Sequence, residues 1–429
     1  MIPFQHPQKS KDADCQINGH ISLLDLPVEI VLDIIAWLPR SGKERRCKSK
    51  PHSIIQSFKA LRLTSKSLAG VLTPVLLNAV NISCSSSARD FLEWCKQYTS
   101  QNRDPPVRRL TITNVGHPSL SNKLQAIPYE VFEDILSAIS PSLHQLKIVF
   151  DDCFEFSPKI AHSFQRAQKL WALHLQILSK PPHLNMPPPA STPNPPGGLQ
   201  LHDPCRFLAC LKALPSLSEL NLNNCLDYCR PLTMNDELTS LPPVQHMSVS
   251  IESHSTSLPS EPHKFLLELC RAMSDSLLIL QIRGSRYDSS KLLPVLAATR
   301  SRLEALHLGD AGLVQNFRQW RFPRLRTFLL DDSRYLTREE FNSPFFHQIT
   351  TLVLRRWNGT DVPLDIPVET FASLKRVILT YTSRVSLDTI TLSKACQDAC
   401  IDLLASTKSV DLREIWTVDA VEAQMEEIS

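Results

Sequence analysis

From residue 77 onward the chain repeats one pattern of apolar positions: an apolar residue, two intervening residues, a second apolar residue, one intervening residue and a third. The alternation at its end describes a short strand whose successive side chains point to opposite sides. The segment Leu217-Ser218-Glu219-Leu220-Asn221-Leu222-Asn223-Asn224-Cys225 carries it best. Leu143/Leu146/Ile148, Leu170/Leu173/Leu175, Leu277/Leu280/Ile282, Leu303/Leu306/Leu308, Ile349/Leu352/Leu354 and Leu374/Val377/Leu379 repeat it, and Leu77/Val80/Ile82, Val107/Leu110/Ile112, Val244/Met247/Val249 and Leu325/Phe328/Leu330 repeat it more loosely. Successive copies begin 22 to 36 residues apart, with one interval of 47. That interval contains Pro181 to Pro196, with eight prolines in sixteen residues followed by Gly197-Gly198, which excludes helix or sheet interior and predicts an external loop over 181–198. Helical spacing returns between strands at Val131 to Ile139, Phe207 to Leu214, Phe265 to Met273 and Lys291 to Ala298. Each strand-plus-helix unit leaves one apolar face exposed, and stacking on its neighbours removes that face from water at roughly 25 cal/mol per Å². The expected fold is α/β, a row of such units with an open strand face; the competing expectation is a globular α/β domain in which the strands are ordinary sheet members.

Ahead of the repeats the pattern is helical. Ser22 and Asp25 can cap a helix that has Pro27 in its first turn, Ile30, Ile34 and Leu38 along one row with Val31 and Ile35 beside it, and Pro39 at its end. Arg40, Lys43, Arg45, Arg46, Lys48 and Lys50 surround the single acid Glu44, a run that repels itself and predicts a solvated loop. Such a loop is also the kind of segment a nuclear import receptor reads. Ile54, Ile55, Phe58 and Leu61 then follow helical spacing, and Thr64 can cap a third helix with Leu68, Val71 and Leu72 before Pro74. A unit of roughly 50 residues buries too little surface to stand alone, so its remaining apolar face calls for a partner.

Composition narrows the chemistry. The 429 residues include 63 Leu and 32 Pro but 10 Gly, which leaves few residues for glycine-rich phosphate loops. With 42% hydrophobic and 21% charged residues the chain has the makings of an ordinary folded protein. A net charge of +3 gives no reason to expect nucleic acid as the main partner. The polar start predicts no secretory signal, and the lack of a run of about 18 apolar residues predicts no membrane span. Twelve scattered cysteines suit free thiols in the cytoplasm or nucleus.

Motifs for catalysis are missing: G-x-G-x-x-G, G-x-x-x-x-G-K-[ST], G-x-S-x-G and H-E-x-x-H do not occur. Cys205, Cys210, Cys225 and Cys229, with His202 nearby, lack the spacing of a common zinc module, and Cys225 sits where a small side chain turns inward to meet backbone groups. Cys396 and Cys400, one helical turn apart beside Ile401 and Leu404, read as core packing. Neither a catalytic residue, a metal nor a cofactor is expected, and the chain reads as no enzyme.

The run Leu26-Pro27-Val28-Glu29-Ile30-Val31-Leu32-Asp33-Ile34-Ile35-Ala36-Trp37-Leu38-Pro39, followed by Leu61-Arg62-Leu63-Thr64-Ser65-Lys66-Ser67-Leu68, resembles the F-box. Together with the repeats, whose spacing is mostly near the 20 to 29 residues of leucine-rich repeats, the chain resembles fungal-type F-box proteins with a leucine-rich-repeat-like C-terminal region. The resemblance implies a disordered N-terminus over 1–21, a short three-helix F-box over 22–75, an irregular leucine-rich-repeat-like solenoid over 76–418 and a C-terminal tail over 419–429. It implies docking on the Skp adaptor, and through it a cullin, by Leu26, Pro27, Glu29, Ile30, Ile34, Leu38, Phe58, Leu61 and Leu63. In that family the repeats select a protein substrate for ubiquitin transfer by other subunits. The alternative is a protein-binding scaffold that assembles no ligase.

The third, fifth and seventh residues of each strand unit point away from the apolar side. They include Arg109, Lys147, His174, Asn221, Asn223, His246, Arg283, His307, Arg355 and Arg376, the expected substrate-binding set. Five cations stand there against Glu219 and Asp331, which suits an acidic or phosphorylated segment; scattered solvated charges are the alternative.

Overall fold

The computed structural model describes residues 73, 76–116, 126–151, 156–178, 204–226, 241–251, 262–284, 289–331, 336–356, 366–381, 387–406 and 412–417. The expectations for the F-box helices and their docking set, the basic loop, the proline-rich loop at 181–198 and the tail at 419–429 lie outside those residues. The chain divides into two compact units, Met1–Asn78 and Ala79–Ser429, and the second holds the sheet.

Twelve strands form that one sheet: β1 Ala79–Ile82, β2 Arg109–Val115, β3 Gln145–Phe150, β4 Ala172–Ile177, β5 Glu219–Asn223, β6 His246–Ser250, β7 Ile279–Arg283, β8 Ala305–Leu308, β9 Thr327–Leu330, β10 Thr351–Arg356, β11 Arg376–Tyr381 and β12 Asp402–Ser406. Their order in space is their order in sequence, β1 to β12. Each pairs in parallel with the next, and the register is that of the sequence repeat. Val80, Leu110, Leu146, Leu173, Leu220, Met247, Leu280, Leu306, Phe328, Leu352, Val377 and Leu403 are successive partners across the sheet. Such a register is strongly specified, because a slip of one residue would turn every leucine in a strand out of the core.

Helices return the chain between strands: α1 Ser85–Thr99, α2 Tyr129–Ile139, α3 Pro158–Arg166, α4 Pro204–Lys212, α5 Pro262–Ala272, α6 Leu293–Thr299, α7 Gly312–Phe317, α8 Arg338–Phe341 and α9 Leu387–Asp398. Their starts follow local chemistry. Ser157 caps α3 by accepting from the Ile160 amide at 3.2 Å, with Pro158 at the first position. Thr337 and Glu340 form a reciprocal capping box on α8. Buried residues of these helices, such as Phe132, Ile135, Phe164, Leu211, Leu269 and Leu296, join the strand leucines in one core, which places the helices on one face of the sheet.

Aromatic rings brace this core. Phe156, Phe207 and Phe265 meet at centroid distances of 5.5 and 6.1 Å. Further along, Phe345 lies 4.9 Å from Phe317, 5.0 Å from Phe328 and 5.1 Å from Phe346, each edge to face. Asn114 and Asn224, at strand ends, adopt positive φ of 61° and 56°. The Asn114 side chain reaches back to donate to the Ser83 carbonyl at 2.7 Å.

The last strand, β12, lies beyond the eleven copies of the sequence pattern. Cys396 is buried in α9, but Cys400 is exposed with φ of 57°. The Ile401 amide donates to the Cys396 carbonyl at 2.8 Å and the Cys400 amide to the Gln397 carbonyl at 3.2 Å. These two bonds make a Schellman turn with Cys400 in the left-handed position glycine usually takes. Ile401 and Leu404 therefore belong to the approach and body of β12, and Cys400 is not core.

Candidate functional site

The sheet face opposite the helices carries the alternate residues of each strand. Arg109 of β2, Lys147 of β3, His174 of β4, Asn221 and Asn223 of β5, His246 of β6, Arg283 of β7, His307 of β8, Arg355 of β10 and Arg376 of β11 all occupy positions alternating with core leucines. They share a face but not an environment, and the face divides in three.

The first part, over β1 to β5, holds a groove of ≈ 440 Å³ lined by Arg109, Lys147, Trp171, His174, Glu219 and Arg413 among others. Arg109 and Lys147 are exposed. His174 Nε2 lies 2.7 Å from Glu219 Oε1, and Arg413 pairs with Glu219 Oε2. Burial pushes the Glu219 carboxyl up, but the hydrogen bond from His174 and the charges of His174, His246 and Arg413 outweigh it and hold the group below the usual carboxylate range. The Arg413 guanidinium also sits 5.1 Å from the Trp171 ring centroid.

The second part is a buried polar chain over β6 to β10. His246, Gln281 and His307 are 7%, 2% and 1% exposed, so these two histidines do not present open side chains as the strand pattern suggested. Gln281 Nε2 meets His246 Nε2 at 2.9 Å, and Arg283 donates to Gln281 Oε1 at 2.8 Å. His307 Nε2 lies 3.0 Å from Asp331 Oδ1, and Arg355 pairs with the same oxygen at 2.8 Å. Burial lowers the His307 imidazole below its ordinary value, against the pull of Asp331 and with the push of Arg283 and Arg355. The ring's Nδ1 lies 3.4 Å from Gln281 Oε1, so both ring nitrogens face oxygen atoms. Burial raises the Asp331 carboxyl, but the hydrogen bond and charge of His307, with the charges of Arg355 and Arg283, bring it below the ordinary range. Arg283 and Arg355 thus serve internal acceptors.

The third part is apolar. Ile279, Ala305, Leu329, Val353 and Ile378 form a second cluster with Leu412 and Ile415 of the helix at 412–417, with Leu278 and Trp416 packed against it. Trp416 Nε1 donates to Glu304 Oε2 at 3.0 Å. The apolar row continues to Leu404 of β12, which is 50% exposed.

Sequence reasoning missed this third part, although its signal was present. Thr327-Phe328-Leu329-Leu330, Thr351-Leu352-Val353-Leu354 and Arg376-Val377-Ile378-Leu379 are apolar on both strand parities, the mark of strands covered on both faces. Leu412, Ile415 and Trp416 have the i, i+3, i+4 spacing of one helical face.

Of the cysteines weighed for zinc, Cys210 and Cys225 are buried in the core, with burial pushing the Cys210 thiol up to about 12. Cys225 Sγ lies 3.3 Å from the Asn223 carbonyl, the inward turn its place in the repeat predicts. The side chains of Cys205, Cys229 and His202 lie outside the described residues. Among the described residues no three His, Cys, Asp or Glu side chains gather to hold a metal, and no helix is long and apolar enough to cross a membrane. The chain matches no family model and no curated protein among those compared.

Proposed function

We propose that this chain is a non-catalytic substrate-recognition subunit of a Skp-cullin-F-box ubiquitin ligase. In this reading residues 22–75 form an F-box that docks the Skp adaptor, residues 76–418 form a leucine-rich-repeat-like solenoid, and the sheet face away from the helices captures a protein substrate in the cytoplasm or nucleus. The Leu-Pro-x-Glu-Ile opening at 26–30 and the Leu-Arg-Leu-Thr-Ser-Lys run at 61–66 support the first assignment. Twelve sequential parallel strands in the register of the repeat support the second. The observation that carries the capture role is the β1–β5 face, where Arg109 and Lys147 stand exposed beside a groove long enough to cross five strands. A substrate held there experiences a high effective concentration of the ubiquitin carrier, so transfer needs no catalytic group of this chain.

The test is the full-length Leu26→Ala/Pro27→Ala variant. It is expected to lose co-purification of the Skp adaptor and the cullin while its melting transition stays that of the parent chain. Undiminished recovery of both subunits by the variant would overturn the ligase reading. Recovery of neither subunit by the parent chain would favour the plain scaffold.

A further inference from the structure

The helix at 412–417 does what a bound peptide would do. Leu412 and Ile415, one turn apart, are 2% and 6% exposed against Ile279, Ala305, Leu329, Val353 and Ile378. Polar groups fix its placement at both sides: Arg413 reaches Glu219 and the Trp171 ring, and the Trp416 indole reaches Glu304. Six residues are too few to hold a helix in water, so its conformation depends on the surface beneath it. That surface contributes side chains from β4–β5 to β11 and matches one helical face by shape and charge. Glu219 and Glu304 meet the helix's polar groups from the sheet side, and both are acids that select a cation and an indole N–H.

We propose that the sheet face over β5–β11 is a helix-docking site, that residues 412–417 fill it as an internal ligand, and that the external partner is a short amphipathic helix with the same chemistry. That partner presents Leu or Ile at i and i+3, Trp at i+4 and a cation at i+1, and it binds by displacing the chain's own helix. Its cation requirement distinguishes it from an acidic segment, which the exposed Arg109 and Lys147 of the neighbouring groove would suit. Tethering gives the internal helix an effective concentration on the order of millimolar, so a free helix of equal intrinsic affinity at micromolar concentration is excluded by about a hundredfold or more. Helix docking at this face is tested apart from ligase assembly, since every residue named for it belongs to the second unit.

The probe is a fluorescein-labelled peptide of residues 408–420 of this chain, followed by anisotropy. Against the full-length parent its binding is expected to be at least about tenfold weaker than against full-length Leu412→Asp/Ile415→Asp, whose internal helix can no longer seat. Trp416→Ala in the peptide and Glu304→Ala in the variant each reduce the affinity several-fold if the docked geometry is that of the internal helix. Should the double variant lose its cooperative melt, a parent chain with a protease site placed at 407–411 replaces it, and the peptide is expected to exchange in after cleavage. A folded receptor that takes up no peptide, or a parent that binds it as tightly as the released receptor, overturns the proposal.

Discussion

At single positions the fold leaves little tolerance where consecutive strand ends stack. Gly284 follows β7 with φ of 149°, and a Cβ placed on it would lie 2.1 Å from the Ile251 carbonyl oxygen. The Ile251 amide donates to the Arg283 carbonyl at 2.9 Å, so the chain after β6 cannot yield without breaking that bond. Gly284→Ala is therefore expected to destabilise by about 2 kcal/mol or more, from backbone strain and the displaced strand end, read as a lower denaturant midpoint. His307 gives the sheet a pH dependence. Its folded value lies below that of a free imidazole, so the unfolded chain binds more protons as pH falls through about 6.5. Its contribution is complete above about pH 7 and is lost progressively as pH drops toward the folded value. Asp331 and Glu219, held low, add their losses only nearer the carboxylate range around 4. The melting temperature should fall from pH 7.5 to 5.5 and His307→Gln should flatten that slope; an equal slope in both proteins would assign it elsewhere. Neither residue's role could be seen in the sequence. A positive φ and a buried imidazole depend on what neighbouring strands bring near, and strand alternation alone placed His307 in solvent.

Among elements, the legible features were those a strand or helix needs for its own apolar face. The second apolar position of all eleven expected copies became one row of sheet partners, because stacking forces equivalent leucines into the same plane. The helices over 131–139, 207–214, 265–273 and 291–298 appeared near those limits for the same reason. β12 was hidden because Cys396, Cys400 and Leu404 recur every four residues, which is helical spacing, and the helix stops at a cysteine in a conformation that sequence reading assigns to glycine. The second-face cluster was hidden because it depends on two segments far apart, although the doubly apolar strands β9 to β11 announced cover on both sides. Packing between elements centres on Phe345, which touches α7 through Phe317, β9 through Phe328 and the following turn through Phe346. Phe345→Ala leaves a cavity bounded by rigid rings that cannot collapse, with an expected loss of about 3–5 kcal/mol. The larger loss should appear in chemical unfolding of the full chain; a loss under about 1 kcal/mol would mean that the rings repack.

Across the second unit, each strand bonds only its neighbours in sequence, so an opening at one end can spread one strand at a time. The helix at 412–417 interrupts that locality. Its bond from Arg413 to Glu219 closes a separation of 194 residues, and that from Trp416 to Glu304 one of 112, while Leu412 and Ile415 share one apolar cluster with side chains of β7 through β11. A latch of this kind makes the fraying of β11 and β12 depend on releasing contacts at β5 and β8. Removing residues 411–429 should therefore speed amide hydrogen exchange several-fold in β7 to β11, beyond the strands' own edge, and leave β1 to β3 unchanged, since the helix's apolar cluster begins at β7 and its ion pair at β5. Exchange that rises only in β12 would show that the helix rests on the sheet without coupling its strands. Exchange that rises evenly from β1 to β12 would show instead that the sheet opens as one cooperative body, in which case the helix contributes to global stability alone.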